Sequence, residues 1–93
     1  MLNANINEVY TATKVHSGTS AKGPWELIVL EGKSNNDRLP IWVDNVPCNI
    51  AQGMKFTISL ISGVNIKHKK PTEQYNKWQD EYSINAFVVP VEG

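Results

Sequence analysis

Residues 54–60 read Met-Lys-Phe-Thr-Ile-Ser-Leu, and this stretch constrains the fold more than any other. Met54, Phe56, Ile58 and Leu60 alternate with Lys55, Thr57 and Ser59. Side chains along an extended strand point to opposite faces in turn, so a period of two predicts a strand with one face in a core and one in water. The pattern recurs at residues 39–44, where Leu39, Ile41 and Val43 alternate with Pro40, Trp42 and Asp44. It recurs again at residues 82–91, where Ile84, Ala86 and Val88 alternate with Ser83, Asn85 and Phe87. Two further runs are rich in strand formers. Residues 6–16 carry Val, Tyr and Thr, and residues 25–31 contain Leu27-Ile28-Val29-Leu30, apolar on both faces and therefore not oriented by periodicity.

Turn chemistry separates these five predicted strands. Residues 17–23 form a polar stretch with Gly18 and Gly23, read as a flexible first loop, and residues 32–37 end the second strand. Residues 46–53 contain Pro47 and close on Gly53, with room for one helical turn at Asn49-Ile50-Ala51-Gln52. Residues 63–81 form a long polar stretch, read as a loop between strands four and five. The predicted architecture is an all-β, five-stranded Greek-key barrel of the OB type, which manages exposed strand edges by near closure. A small SH3-like barrel is the nearest alternative. The OB reading is preferred because the helix-like spacer falls between strands three and four, and the longest loop falls between strands four and five.

Composition bounds the rest. A chain of 93 residues fits one domain spanning 1–93, and 41% hydrophobic against 19% charged residues is globular rather than disordered. The longest uncharged apolar run, Leu27 to Leu30, is far too short to span a bilayer, and no signal peptide is expected from Met1-Leu2-Asn3-Ala4-Asn5. No membrane association is therefore expected. Nine Lys plus Arg balance nine Asp plus Glu. Zero net charge argues against coating duplex DNA by charge, but not against binding single strands, where bases stack on aromatic rings.

Three features converge on single-stranded nucleic acid. Trp25 opens the second strand and Trp42 stands mid-way along the third, on the face opposite Ile41 and Val43. These strands form the binding face of an OB barrel, where an outward tryptophan offers a stacking surface worth about 1–3 kcal/mol per base. The plainer alternative is that Trp42 covers a barrel end or a subunit contact. The stretch at 63–81 carries Lys67, His68, Lys69 and Lys70, then Tyr75, Lys77 and Trp78. Interleaved cations and rings suit a ladder of phosphates and bases. Glu73, Asp80 and Glu81 partly cancel this charge, which suits an ordinary solvated loop. Lys22, in the first loop, and Arg38, beside the third strand, extend the basic track at lower weight, with Lys33, Lys14 and Lys55 as further candidates.

Other chemistry is thin. His16 and His68 lie far apart in sequence, Cys48 is the single cysteine, and no metal-ligand spacing or Gly-rich phosphate loop is visible. Cys48 reads as a small buried residue without a neighbouring cation to activate it, and Asp44 as a cap for the turn that follows. Neither an enzyme nor a cofactor is expected.

Gly23-Pro24-Trp25-Glu26-Leu27, Ile41-Trp42-Val43 and Ile84-Asn85-Ala86, with the strand layout across residues 6–91, resemble the short OB-fold single-stranded DNA-binding proteins encoded by bacteriophages and related mobile elements. The resemblance implies coating of single-stranded DNA with little sequence preference during phage replication or recombination, in the cytoplasm of a bacterial host. RNA is a second candidate ligand, and replication or recombination proteins are candidate partners. Many members carry an acidic tail that recruits partners, whereas this sequence ends Val91-Glu92-Gly93, so tail-mediated recruitment is not expected. A homodimer or higher homo-oligomer is expected, because two-fold pairing is common and multivalency raises avidity. The competing function is a protein-interaction module, a host-directed inhibitor or assembly factor, using the same aromatic face as a hot spot.

Overall fold

The computed structural model describes residues 4–32, 38–74, 76–77 and 79–91, with the side chains of all of these except Lys69 and Gln79. The strands are β1 (Val9–Thr11), β2 (Lys14–Ser20), β3 (Gly23–Glu31), β4 (Arg38–Val43), β5 (Lys55–Lys69) and β6 (Gln79–Pro90). They form one six-stranded sheet in the order β1-β5-β6-β4-β3-β2, curled into a half-barrel. Among the described residues, only β4 and β6 pair in parallel. The described residues contain no helix.

The first predicted strand is thus two strands. β1 and β2 occupy opposite edges of the sheet, yet only Ala12 and Thr13 separate them in the chain. The sheet has to curl for so short a link to reach both edges. Fully buried Ala12 is bonded across this junction: its N–H donates to Met54 O at 2.9 Å, and its carbonyl accepts from Gly53 N–H at 2.8 Å. Thr13 N–H donates at 3.2 Å to Val29 O of β3, beside the other edge strand.

Alternation builds the core as expected in β4 and β6. Leu39, Ile41 and Val43, with Ile84, Ala86 and Val88, pack inward together with Ile28 and Leu30 of β3 and Phe56 and Ile58 of β5. Cys48 and Ile50, from the connection between β4 and β5, join the same core. That connection makes no helical turn. Asn49 adopts a φ of 60°, outside the helical range, and Asn45 supplies order of another kind. Its side chain mimics a strand, donating to Val88 O at 2.7 Å and accepting from Val88 N–H at 2.9 Å.

Three further expectations need correction. Leu60 leaves the inward face, with 52% of its surface exposed, because the register against β6 shifts between Ile58 and Leu60. An extra residue in one strand swaps the faces beyond it, and Ile61 takes the inward place opposite Ala86. The first loop shrinks to Ala21 and Lys22, since β2 and β3 pair as far as Ser20 and Gly23. Gly23 has a φ of 117°, a conformation that this tight turn requires and that glycine adopts without strain. The long loop at 63–81 is mostly strand: β5 and β6 pair out to Lys69 and Gln79, leaving residues 70–78 as the connection.

Candidate nucleic-acid interface

The sheet face turned away from the core carries the candidate site. Across five strands the register aligns His16, Leu27, Trp42, Asn85 and Gly63 as neighbours in one row. In the adjacent row, Trp25 of β3 stands opposite Gly18 of β2. Gly18 is there for space: a Cβ at this position would lie 2.6 Å from the Trp25 ring, well inside van der Waals contact. The indole therefore lies across the glycine, an arrangement in which an aromatic covers backbone that glycine leaves bare.

Trp25 and Trp42 meet edge to face, with ring centroids 5.9 Å apart and planes at 66°. Such geometry suits the positive edge of one ring against the negative face of the other. Trp25 is half-buried, and Trp42 is 38% exposed on the face predicted from its alternation with Ile41 and Val43. The two tryptophans form one aromatic platform.

The cations are distributed differently. Lys22 is exposed in the β2–β3 turn, close in sequence to Trp25. Arg38 lies on the platform face, four residues along β4 from Trp42 or about 13 Å at strand rise. Glu31 stands opposite it in β3 and also pairs with Lys14 at 3.4 Å, so that end of the face holds mixed charge. Lys67 lies in β5 rather than in a loop, exposed and opposite Glu81 of β6. Its register puts it on the same face as Gly63 and Asn85, four residues beyond that row. Lys69 is also in β5, where it pairs with Gln79, while Lys70 and Lys77 are exposed in the 70–78 connection. Tyr75 and Trp78, like Lys33, lie outside the described residues. His68 and Asp80 form a close side-chain pair across β5 and β6.

Sequence reasoning missed Asn85, Asn65 and His16 as members of this face. Alternation of Asn85 with buried Ile84 and Ala86 signalled its outward direction. Its position beside Trp42 follows only from the parallel pairing of β4 with β6. Asp44 accepts a hydrogen bond from the Ser62 hydroxyl of β5, tying the end of β4 to a neighbouring strand rather than capping a turn.

Cys48 is 4% exposed, and its Sγ–H donates to Glu26 Oε2 at 2.8 Å. Burial, reinforced by the hydrogen bond to Glu26, pushes the thiol up to about 11, so it stays protonated at neutral pH. Among the described residues no three His, Cys, Asp or Glu side chains gather as a metal site, and no helix is long and apolar enough to cross a membrane. A second exposed feature lies on the outer side of β1, β5 and β6, where Val9, Leu60, Phe87 and Val89 form an apolar patch. Comparison with protein-family models, curated proteins and solved structures finds no match for this chain.

Proposed function

We propose that this chain is an OB-type barrel that binds single-stranded nucleic acid on the outer face of β2, β3 and β4. Counting β1 and β2 as one interrupted first strand leaves five, and that first strand borders both the second (β3) and the fourth (β5). This order supports the barrel reading. The observation that carries the function is the Trp25–Trp42 platform, solvent-accessible on the second and third strands of that count. Bases stack on such rings with little regard to sequence. Lys22, Arg38, Lys67, Lys69, Lys70 and Lys77 are the proposed phosphate contacts, with Tyr75 and Trp78 as proposed clamps. The ligand is DNA, the setting phage replication or recombination in a bacterial cytoplasm, and the working unit a homodimer.

The test is intrinsic tryptophan fluorescence during titration with an unstructured thymidine oligonucleotide at low and moderate salt. Saturable quenching that weakens with salt is expected, because phosphate contacts release counterions. Absence of quenching or spectral shift at low salt overturns the proposal.

The patch of Val9, Leu60, Phe87 and Val89 favours a second reading, a protein-interaction module. That reading predicts a partner retained after nuclease treatment, together with no response to oligonucleotide.

A further inference from the structure

Asn85 is flanked by Trp42 on β4 and by Gly63 on β5. Gly63 fills none of the space on its side: even a Cβ there would come only within 3.9 Å of the Asn85 Cβ. Two residues along β5, Asn65 Nδ2 donates to Asn85 Oδ1 at 2.6 Å. This bond orients both amides. Each asparagine side chain has an NH2 that only donates and an oxygen that only accepts, so the contact leaves Asn85 Nδ2 as a donor and Asn65 Oδ1 as an acceptor. Among the described residues nothing else engages these two atoms. The nearby Ser62 hydroxyl contacts the Asn85 main-chain oxygen at 3.1 Å and does not engage its side-chain amide. Asn85 is half-buried and Asn65 exposed, so both are accessible from solvent.

We infer that the Asn65–Asn85 amide pair reads the hydrogen-bonding edge of a base stacked on Trp42, and so makes the site discriminate between pyrimidines. This inference rests on the single-strand reading above. Thymine and cytosine have the same ring size and differ little as stacking partners. Their edges are opposite: thymine offers an accepting O4 beside a donating N3–H, and cytosine a donating N4–H2 beside an accepting N3. An amide pair held in one donor–acceptor order cannot satisfy both equally. A site built to hydrogen-bond one edge disfavours the other, because its polar groups are left unpaired.

The experiment compares binding of oligothymidine and oligodeoxycytidine of equal length by tryptophan quenching at fixed low salt. The native chain is expected to prefer one of them by about fivefold or more, the scale of one net hydrogen bond. Asn85→Leu is expected to bring that ratio close to one while the less favoured oligonucleotide still binds. Asn65→Ala, at an exposed position, gives the same collapse with less risk to the fold. Equal affinities in the native chain, or a ratio unchanged in both variants, overturn the inference and leave the single-strand reading intact. Failure of the native chain to bind either oligonucleotide overturns the single-strand reading itself.

Discussion

The β3–β4 wall and the outer part of the β5–β6 hairpin are both built from strand-forming residues, yet they end in opposite environments. In the wall each strand has neighbours on both sides, and Ile28, Val29 and Ile41 are fully buried. In the hairpin, residues 64–69 of β5 pair only with β6, and residues 79–83 of β6 pair only with β5, among the described residues. Val64 and Ile66 there are 67% and 54% exposed. Alternation thus predicts which way a side chain points, while the neighbouring strands decide whether anything covers it. A two-stranded ribbon alone is marginal in water, so this hairpin draws its order from continuity with the sheet.

The sharpest way to break this contrast is by truncation. Ile41→Ala is expected to cost about 2–5 kcal/mol in denaturant unfolding, from lost burial and the cavity left behind. Ile66→Ala is expected to cost under about 1 kcal/mol, in the range of an exposed strand position. Similar losses for the two would show that the hairpin is covered and the contrast false.

Gly18→Val tests the wall's outer side. Side-chain atoms at this position collide with the Trp25 ring, and overpacking of this kind costs about 1–3 kcal/mol. Displaced from Trp42, Trp25 should also change the near-ultraviolet circular dichroism of the native state. An unaltered aromatic spectrum would mean that the ring contact is not maintained in solution.

Trp42→Ala should leave the thermal midpoint within a few degrees of the native value. Its affinity for single strands should fall by about 1–3 kcal/mol, the contribution of one stacked base. Loss of folding would instead assign Trp42 to the structure of the wall.

Cys48 supplies a test by pH. Its folded-state value of about 11 exceeds the ordinary 9.0, so the folded state holds the proton more tightly. The stabilisation is fully present below about pH 9 and is lost as pH rises through the folded value. Thiol-reagent labelling at pH 8 should therefore be slow in native protein and fast in denaturant. Equal rates would place Cys48 outside the packed core.

The smallest expected effect is that of Lys67→Gln on the hairpin. Glu81 faces Lys67 across the strands, so stability should change by less than about 0.5 kcal/mol. If Lys67 contacts a phosphate, the salt dependence of binding should flatten by about one unit of slope. An unchanged slope would remove Lys67 from the interface.

Most strands of the sheet were legible, and the misreadings share a cause. Gly63 looked like the start of a loop, and the polar residues after it hid the alternation of Val64 and Ile66 with Asn65 and Lys67. Gly18 looked like a turn residue, but it occupies a strand because a ring from the next strand lies over it. Leu60 fitted the period of its strand and still left the core, because a register shift against β6 falls between it and Ile58. In each case the deciding partner lies in another strand.

The direction of side chains within a strand follows from the order of residues. Trp42 turns away from Ile41 and Val43, and Asn85 away from Ile84 and Ala86, because stereochemistry alternates successive Cβ atoms whatever the surroundings. Which outward residues become neighbours depends instead on how the strands assemble. Trp25 over Gly18, Trp42 beside Trp25 and Asn85 beside Trp42 each require a pairing register. Register is set by burial of the opposite face and by the turns and bulges of the whole sheet, so it is a property of many residues at once and of no single segment.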